Sequence, residues 1–243
     1  MTRALLAATL FLFAGSAYAA DMPVKAPAPP PPAPTWTGFY IGINGGWGNA
    51  NNFWTLQTPA GNFPEGGTNG NGGTVGGQIG YRWQTGPAVF GLEAQGNWAN
   101  LTAQHTSTAA ANAGFDNYSN LDAFGLFTGQ IGYAWNTVLL YAKGGAAVTD
   151  SKYNDVITGT GAVVATSSDT RWGGVVGAGL EYAFAPNWSA AIEYDHLFMG
   201  NNTNNLTATA GAGLFATDSI SQNVDLVTVR VNYKFGGPVV ARY

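Results

Sequence analysis

Gly77-Gln78-Ile79-Gly80-Tyr81-Arg82-Trp83 returns downstream as Gly129-Gln130-Ile131-Gly132-Tyr133-Ala134-Trp135, and more loosely as Ala178-Gly179-Leu180-Glu181-Tyr182-Ala183-Phe184. In each copy one set of alternate positions is apolar or aromatic, and the other holds Gly, Ala, Gln, Arg or Glu. Period-two alternation is the mark of a strand, and helical spacing fits none of these segments. The aromatics gather at strand ends, with Val, Ile, Leu and Ala between them. A sheet in water turns its rings inward. Rings at both ends of an apolar face suit a sheet whose outer surface meets lipid.

Working outward from these copies, eight such segments emerge. Strand one, Thr37 to Gly48, alternates Phe39, Ile41, Ile43 and Trp47 with Tyr40, Gly42, Asn44 and Gly46. Strands two to seven follow the same scheme, and strand eight is the cleanest: Val227, Val229, Val231, Tyr233 and Phe235 against Thr228, Arg230, Asn232 and Lys234. Three tight turns, at Thr85-Gly86-Pro87, Asn136-Thr137 and Ala185-Pro186-Asn187, alternate with four long Gly/Asn/Thr-rich segments read as loops. Strands of about 10–12 residues, tilted by roughly 45°, cross a hydrocarbon layer. The predicted fold is all-β: an eight-stranded antiparallel up-and-down transmembrane barrel.

Composition agrees with export into a membrane rather than life in the cytoplasm. Only 9% of the 243 residues are charged, against roughly a quarter in soluble domains. Arg3, the apolar run Ala4 to Ala14 and Ala17-Tyr18-Ala19 form an export signal ending at residue 19. Its apolar run is shorter than the ~20 residues of a spanning helix. Residues 20–35 form a Pro/Ala-rich leader of polyproline II character, and residues 36–243 the barrel. Without Arg3 the chain carries eight Lys/Arg against 13 Asp/Glu, a balance that does not attract nucleic acid. Zero cysteines exclude disulfides and thiolate metal sites.

On this phasing Arg82, Lys143, Arg230 and Lys234 face inward together with Glu93, Glu181, Glu193 and Asp195. Eight strands enclose a space that side chains just fill. Four cations and four carboxylates there are expected to pair, since an unpaired buried charge is costly. The lumen is therefore expected to be plugged, the alternative being a thin channel for small solutes or ions. Trp36, Phe39, Trp83, Phe90, Trp135, Phe184, Trp188 and Phe235 are expected to form the periplasmic girdle. Trp47, Trp98, Phe124, Trp172 and Phe198 are expected to form the outer one. Long loops face outside and short turns the periplasm in such barrels, which places both termini in the periplasm.

Residues that carry chemistry are scarce. His105 falls in a polar segment, and His196 and Asp195 are strand neighbours that point to opposite faces. Gly66-Gly67 and Gly72-Gly73 lack the Gly-Lys-Ser/Thr of a phosphate loop. No catalytic, cofactor or metal site is predicted.

The export signal, the Pro/Ala leader, the opening Trp36-Thr37-Gly38-Phe39-Tyr40-Ile41-Gly42 and the ending Val231-Asn232-Tyr233-Lys234-Phe235 resemble the small outer-membrane β-barrel family of alphaproteobacteria. Those proteins are often called outer-membrane immunogenic or porin-family proteins, with a layout like the transmembrane domain of OmpA. The resemblance implies a surface protein that supports envelope integrity and displays antigenic loops. Its partners would be outer-membrane lipid and lipopolysaccharide, the barrel-assembly machinery through the terminal strand, and a host or surface partner through the loops. Haemin binding, a property of some relatives, has no ligand pattern here. The chain also continues past Phe235 to Tyr243, and either residue can serve as the aromatic assembly signal. We expect Phe235 to end the strand and Tyr243 to be the recognised terminus. Deleting residues 236–243 should then impair membrane insertion in cells, and unchanged insertion would remove any role for Tyr243.

Overall fold

The structure, a computed structural model, describes residues 35–108, 114–209 and 214–236. The export signal, the leader before residue 35 and the tail from 237 lie outside the described residues. Eight strands follow in chain order: β1 (Gly38–Thr58), β2 (Gly61–Thr85), β3 (Ala88–Thr106), β4 (Phe115–Trp135), β5 (Val138–Ile157), β6 (Val163–Ala185), β7 (Trp188–Ala208) and β8 (Leu214–Lys234). Each pairs antiparallel with its sequence neighbours, and β1 pairs with β8 from Tyr40↔Lys234 to Leu56↔Asp218, so the sheet closes into a barrel. Closure leaves no edge strand, which a hydrocarbon environment demands of any sheet.

The three tight turns join β2–β3, β4–β5 and β6–β7. Gly86 and Asn136 take φ of 58° and 50°, left-handed values that Gly and Asn tolerate best, so two residues suffice to reverse the chain. Lys234 N donates to Asn187 O of the β6–β7 turn (2.8 Å) and Phe235 N to Phe39 O of β1 (2.8 Å), which fastens the end of the last strand to both of its neighbours at this short-turn end.

The strands are much longer than the predicted crossings. They run 19 to 25 residues, which at about 3.3 Å per residue and a tilt near 40° is roughly 50 Å of height, about twice an apolar band of ~25 Å. The four segments read as loops are thus mostly strand. Gly48 to Thr58 pairs with Gly61 to Gly72, and Thr149 to Val156 with Val163 to Arg171, each ladder with one register shift.

What changes along each strand is which face is apolar. Through the lower half Phe39, Ile41, Ile43 and Trp47 of β1, and Val227 and Val229 of β8, point outward; Ile43 is 70% exposed. Tyr40, Asn44, Thr228 and Arg230 of the same strands are buried inside. Further along, Ala50, Trp54 and Leu56 of β1 and Ile220, Val224 and Leu226 of β8 are the buried ones, while Phe53 and Asn223 face out. In these two strands the alternation runs on without a break, and its polarity inverts. Below, a wall of apolar side chains surrounds a polar interior, as in lipid; above, apolar side chains retreat inward, as water requires.

The outward aromatics lie at the two borders of the lower band. Trp83, Phe90, Trp135, Phe184, Trp188 and Phe235 stand exposed toward the short-turn end with Phe39, and Trp47, Trp98, Trp172 and Phe198 at the upper border. Trp98 is 75% exposed, a position no water-soluble core tolerates as a repeated pattern. Two expected girdle residues are elsewhere. Trp36 is buried against Val89, Ala134, Leu139 and Tyr141 inside the short-turn mouth. It shares the inward parity of Gly38 and Tyr40, and its backbone N–H donates to Gln84 Oε1 (2.8 Å). Phe124 lies an odd number of residues from outward Phe127, so it points inward and is buried.

Candidate functional site: the lumen of the barrel

The lower lumen is filled by an ion network drawn from six strands. Arg82 of β2 reaches Glu181 of β6 (Nη2–Oε2, 2.8 Å). Arg230 of β8 contacts Glu93 of β3 (2.6 Å) and also Glu193 of β7. Lys143 of β5 lies 2.7 Å from Glu193, 3.2 Å from Asp195 and 3.8 Å from Glu93. All seven side chains are buried. Lys234 does not join them: it sits half-buried at the mouth, its Nζ donating to Thr35 O. Three cations therefore meet four carboxylates, where the alternation had suggested four of each.

Two tyrosines complete the network. The Tyr40 hydroxyl donates to Glu93 Oε2 (2.7 Å) and that of Tyr141 to Glu193 Oε2 (2.6 Å), so each shared carboxylate gains a neutral donor beside its cations. The Arg82 guanidinium lies 4.5 Å from the centre of the Tyr40 ring. Both rings need bare backbone opposite. A Cβ on Gly80 would fall 2.4 Å from the Tyr40 hydroxyl oxygen, and one on Gly179 2.5 Å from the Tyr141 ring. Glycines of the repeated segments thus supply the room that the inward tyrosines occupy. Gln78 extends the network sideways, accepting from Asn44 (2.7 Å) and donating to Asn232 (2.7 Å), which in turn donates to Glu181 (3.0 Å). At the mouth, beneath Trp36, a cavity of about 20 Å³ bordered by Tyr40, Arg82 and Glu181 has room for a water molecule and little more.

A second layer lies above the ions. Leu101, Leu121, Phe124, Leu126, Val175, Leu197, Met199, Val224 and Leu226, with Ala50 and Ala147, form one buried apolar cluster across the lumen. Higher still, Trp54 and Tyr153 pack edge to face at 5.5 Å beside Ile220, and Arg171 donates to Ile220 O (2.9 Å) while pairing with Asp169 (2.7 Å). The apolar layer escaped sequence reading because its members fall in Asn- and Gly-rich segments. The signal was there as isolated large residues at constant parity, such as Leu121–Phe124–Leu126 and Ile220–Val224–Leu226 once one parity shift or bulge is allowed.

Near the far end, above the apolar band, three acidic side chains share the interior. Glu65 accepts from Ser107 Oγ (2.9 Å) and Asn117 Nδ2 (3.1 Å), and Asp155 and Asp218 are fully buried. Burial, and then the Glu65 charge, push the Asp155 carboxyl up to about 7. Burial, Glu65 and Asp155 push that of Asp218 up to about 8. Both lie far above the ~3.9 of an unfolded Asp, so the folded state favours the proton. The stability they contribute is complete below about pH 4 and is lost as pH rises through about 7 to 8. The upper barrel should resist proteolysis better at pH 5.5 than at pH 8.5, and Asp155→Asn with Asp218→Asn should flatten that dependence. A difference of equal size in the double variant would refute the assignment.

The two histidines differ. His105 is on β3, half-buried, 5.9 Å from the Trp54 ring. His196 stands on the outward face of β7, with its Nδ1 2.6 Å from Asp225 Oδ1 of β8, a partner that its sequence neighbour Asp195 had obscured. Among the described residues no group of three or more His, Cys, Asp or Glu is arranged to hold a metal ion.

A closed eight-stranded sheet with an apolar, aromatic-bordered outside and a charged inside is a membrane-spanning β-barrel. The chain belongs to the outer membrane protein beta-barrel domain family, which matches residues 5–235, and so to an outer-membrane family of Gram-negative bacteria. It is 32% identical over 253 residues to the 31 kDa outer-membrane immunogenic protein of Brucella melitensis, covering 97% of this chain and 100% of that one. It is 32% identical over 178 residues to a 22 kDa outer membrane protein of Rhizobium leguminosarum bv. viciae, covering 72% of this chain and 67% of the relative. Both are alphaproteobacterial, the group whose barrels the opening and closing strands resemble. Among solved structures it is similar to the outer membrane protease OmpT of Escherichia coli (TM-score 0.52, 10% identity, covering 83% of this chain and 98% of that one). OprG of Pseudomonas aeruginosa is equally similar (TM-score 0.52, 11% identity, 83% and 99% covered). At such identities these two likenesses show the fold alone.

Proposed function

We propose that this protein is a structural and surface-interaction component of the outer membrane, with no turnover of its own and a lumen closed to diffusion. The observation that carries the reading is closure in two layers: buried ion pairs between Arg82, Lys143, Arg230 and four carboxylates, then a buried apolar cluster from Leu101 to Leu226. A permeant ion would have to displace the first set of partners and dehydrate in the second, each at a cost of several kcal/mol. Residues 1–19 direct export, and residues 20–35 precede the barrel in the periplasm. The short turns and both chain ends are periplasmic, and the long upper barrel projects outward as the contact and antigenic surface. The strand ending at Phe235 is the segment that the barrel-assembly machinery handles.

Purified protein in planar bilayers should give no steady conductance, and proteoliposomes should not swell in small sugars. Steady single-channel steps would establish the narrow-channel alternative in its place.

A further inference from the structure

We infer that the outer wall where β7, β8 and β1 meet holds one lipid by the region that links its acyl chains to its headgroup, through His196, Asp225 and Tyr194. On β7 the outward row runs Ile192, Tyr194, His196, Phe198, and on β8 it runs Val229, Val227, Asp225; His196 and Asp225 are direct partners in the register. The other ionisable groups on these stretches, Glu193, Asp195 and Arg230, point inward. An ionisable pair on a lipid-facing wall is costly and marks function more often than packing. Its height is set by β1, whose outward row changes from exposed Trp47 to Asn49 and Asn51 at the level of Asp225. That is where the hydrocarbon gives way to the linkage region of a leaflet.

The geometry defines what such a ligand must offer. Asp225 Oδ1 accepts from the Tyr194 hydroxyl (2.7 Å) and from His196 Nδ1 (2.6 Å), and Asn51 Nδ2 lies 3.4 Å from Oδ2. The carboxylate engages Nδ1, so Nε2 is the ring nitrogen of His196 left to face outward. Tyr194 spends its hydrogen on Asp225 and leaves its oxygen as an acceptor. The side chains of His196 and Asp225 keep 26% and 34% of their surface open. The Tyr194 oxygen and the Asp225 carboxylate are acceptors, and that carboxylate repels phosphate. The site fits hydroxyl and amide N–H donors. Phe198, 4.4 Å from the His196 ring, and Trp47 flank it with apolar faces, and acyl chains would run down over Val227, Val229 and Ile192. The matching class is an amide-linked, hydroxylated lipid, whether a lipid A or a phosphate-free ceramide-type lipid.

This inference rests on the wall meeting the outer leaflet, which flotation of the protein with liposomes checks separately. Native mass spectrometry of the folded, full-length protein in detergent, with lipid A, a ceramide, phosphatidylcholine and phosphatidic acid added in turn, tests the site itself. Lipid A should be retained about ten-fold over phosphatidylcholine, a difference of about 1.4 kcal/mol. His196→Phe and Asp225→Asn should reduce that ratio to about one, and Asp150→Asn, on another face, should keep it. Ceramide retained like lipid A assigns recognition to the linkage donors alone; ceramide retained less adds the sugar hydroxyls. Equal retention of all lipids by the unaltered protein, tighter retention of phosphatidic acid, or a preference that survives both substitutions would overturn the proposal.

Discussion

Arg230→Ala is expected to cost about 3–5 kcal/mol of barrel stability, the largest loss for any single residue of the ion layer. Arg230 is fully buried and holds Glu93 and Glu193 at once, so its truncation leaves two carboxylates facing each other with only Lys143 and two tyrosine hydroxyls in reach. A folded barrel migrates at a different apparent mass from the boiled chain, and urea unfolding followed by tryptophan fluorescence reads the loss directly. Part of the cost is repulsion rather than missing attraction, so Glu93→Gln added to Arg230→Ala should recover stability. The reverse single change, Glu93→Gln alone, should be milder, because Arg230 keeps Glu193. If Arg230→Ala unfolds at the same urea concentration as the unaltered protein, the ion layer contributes nothing that packing does not.

Phe124→Ala should cost about 3–5 kcal/mol, against much less for Phe127→Ala three residues away. Phe124 is enclosed by the apolar layer, while Phe127 is half exposed on the outer wall, where lipid fills the space left by a removed ring. The same comparison separates the structure from the girdle position that the spacing of aromatics had suggested. Equal effects at the two positions would return Phe124 to the lipid face. Neither substitution should open the lumen, since the ion layer below remains intact.

How far these features were legible depends on what enforced them. Within the lipid-facing band, hydrocarbon tolerates one arrangement, apolar out and polar in, and this wrote a strict alternation into Val227 to Phe235 and into the three repeated segments that begin at Gly77, Gly129 and Ala178. Strand number, turn positions and the inward direction of Arg82, Glu93, Lys143, Glu181, Glu193, Asp195 and Arg230 could be read from that alternation. Above the band water accepts Asn, Gly and Thr on a strand as readily as on a loop, so composition there carried no sign of pairing. The strands' full length emerged only from the register of β1 with β2 and β8.

Other features were decided by distance in three dimensions. Whether an inward residue belongs to the network depends on its height as well as its face: Lys234 has the parity of Arg230 but sits a full pleat pair lower, at the mouth, where Thr35 O receives it. Trp36 precedes the first strand, and closure of the mouth drew it inside on the parity of Gly38 and Tyr40. His196 found Asp225 because β7 and β8 pair in one register and no other. The sequence by itself determined which face of each lower strand meets lipid, because a two-residue period is a local property. Only the closed barrel decided which charges touch, how far the walls rise and where the lumen turns apolar, because those depend on side chains from different strands, far apart in the chain, meeting across one narrow interior.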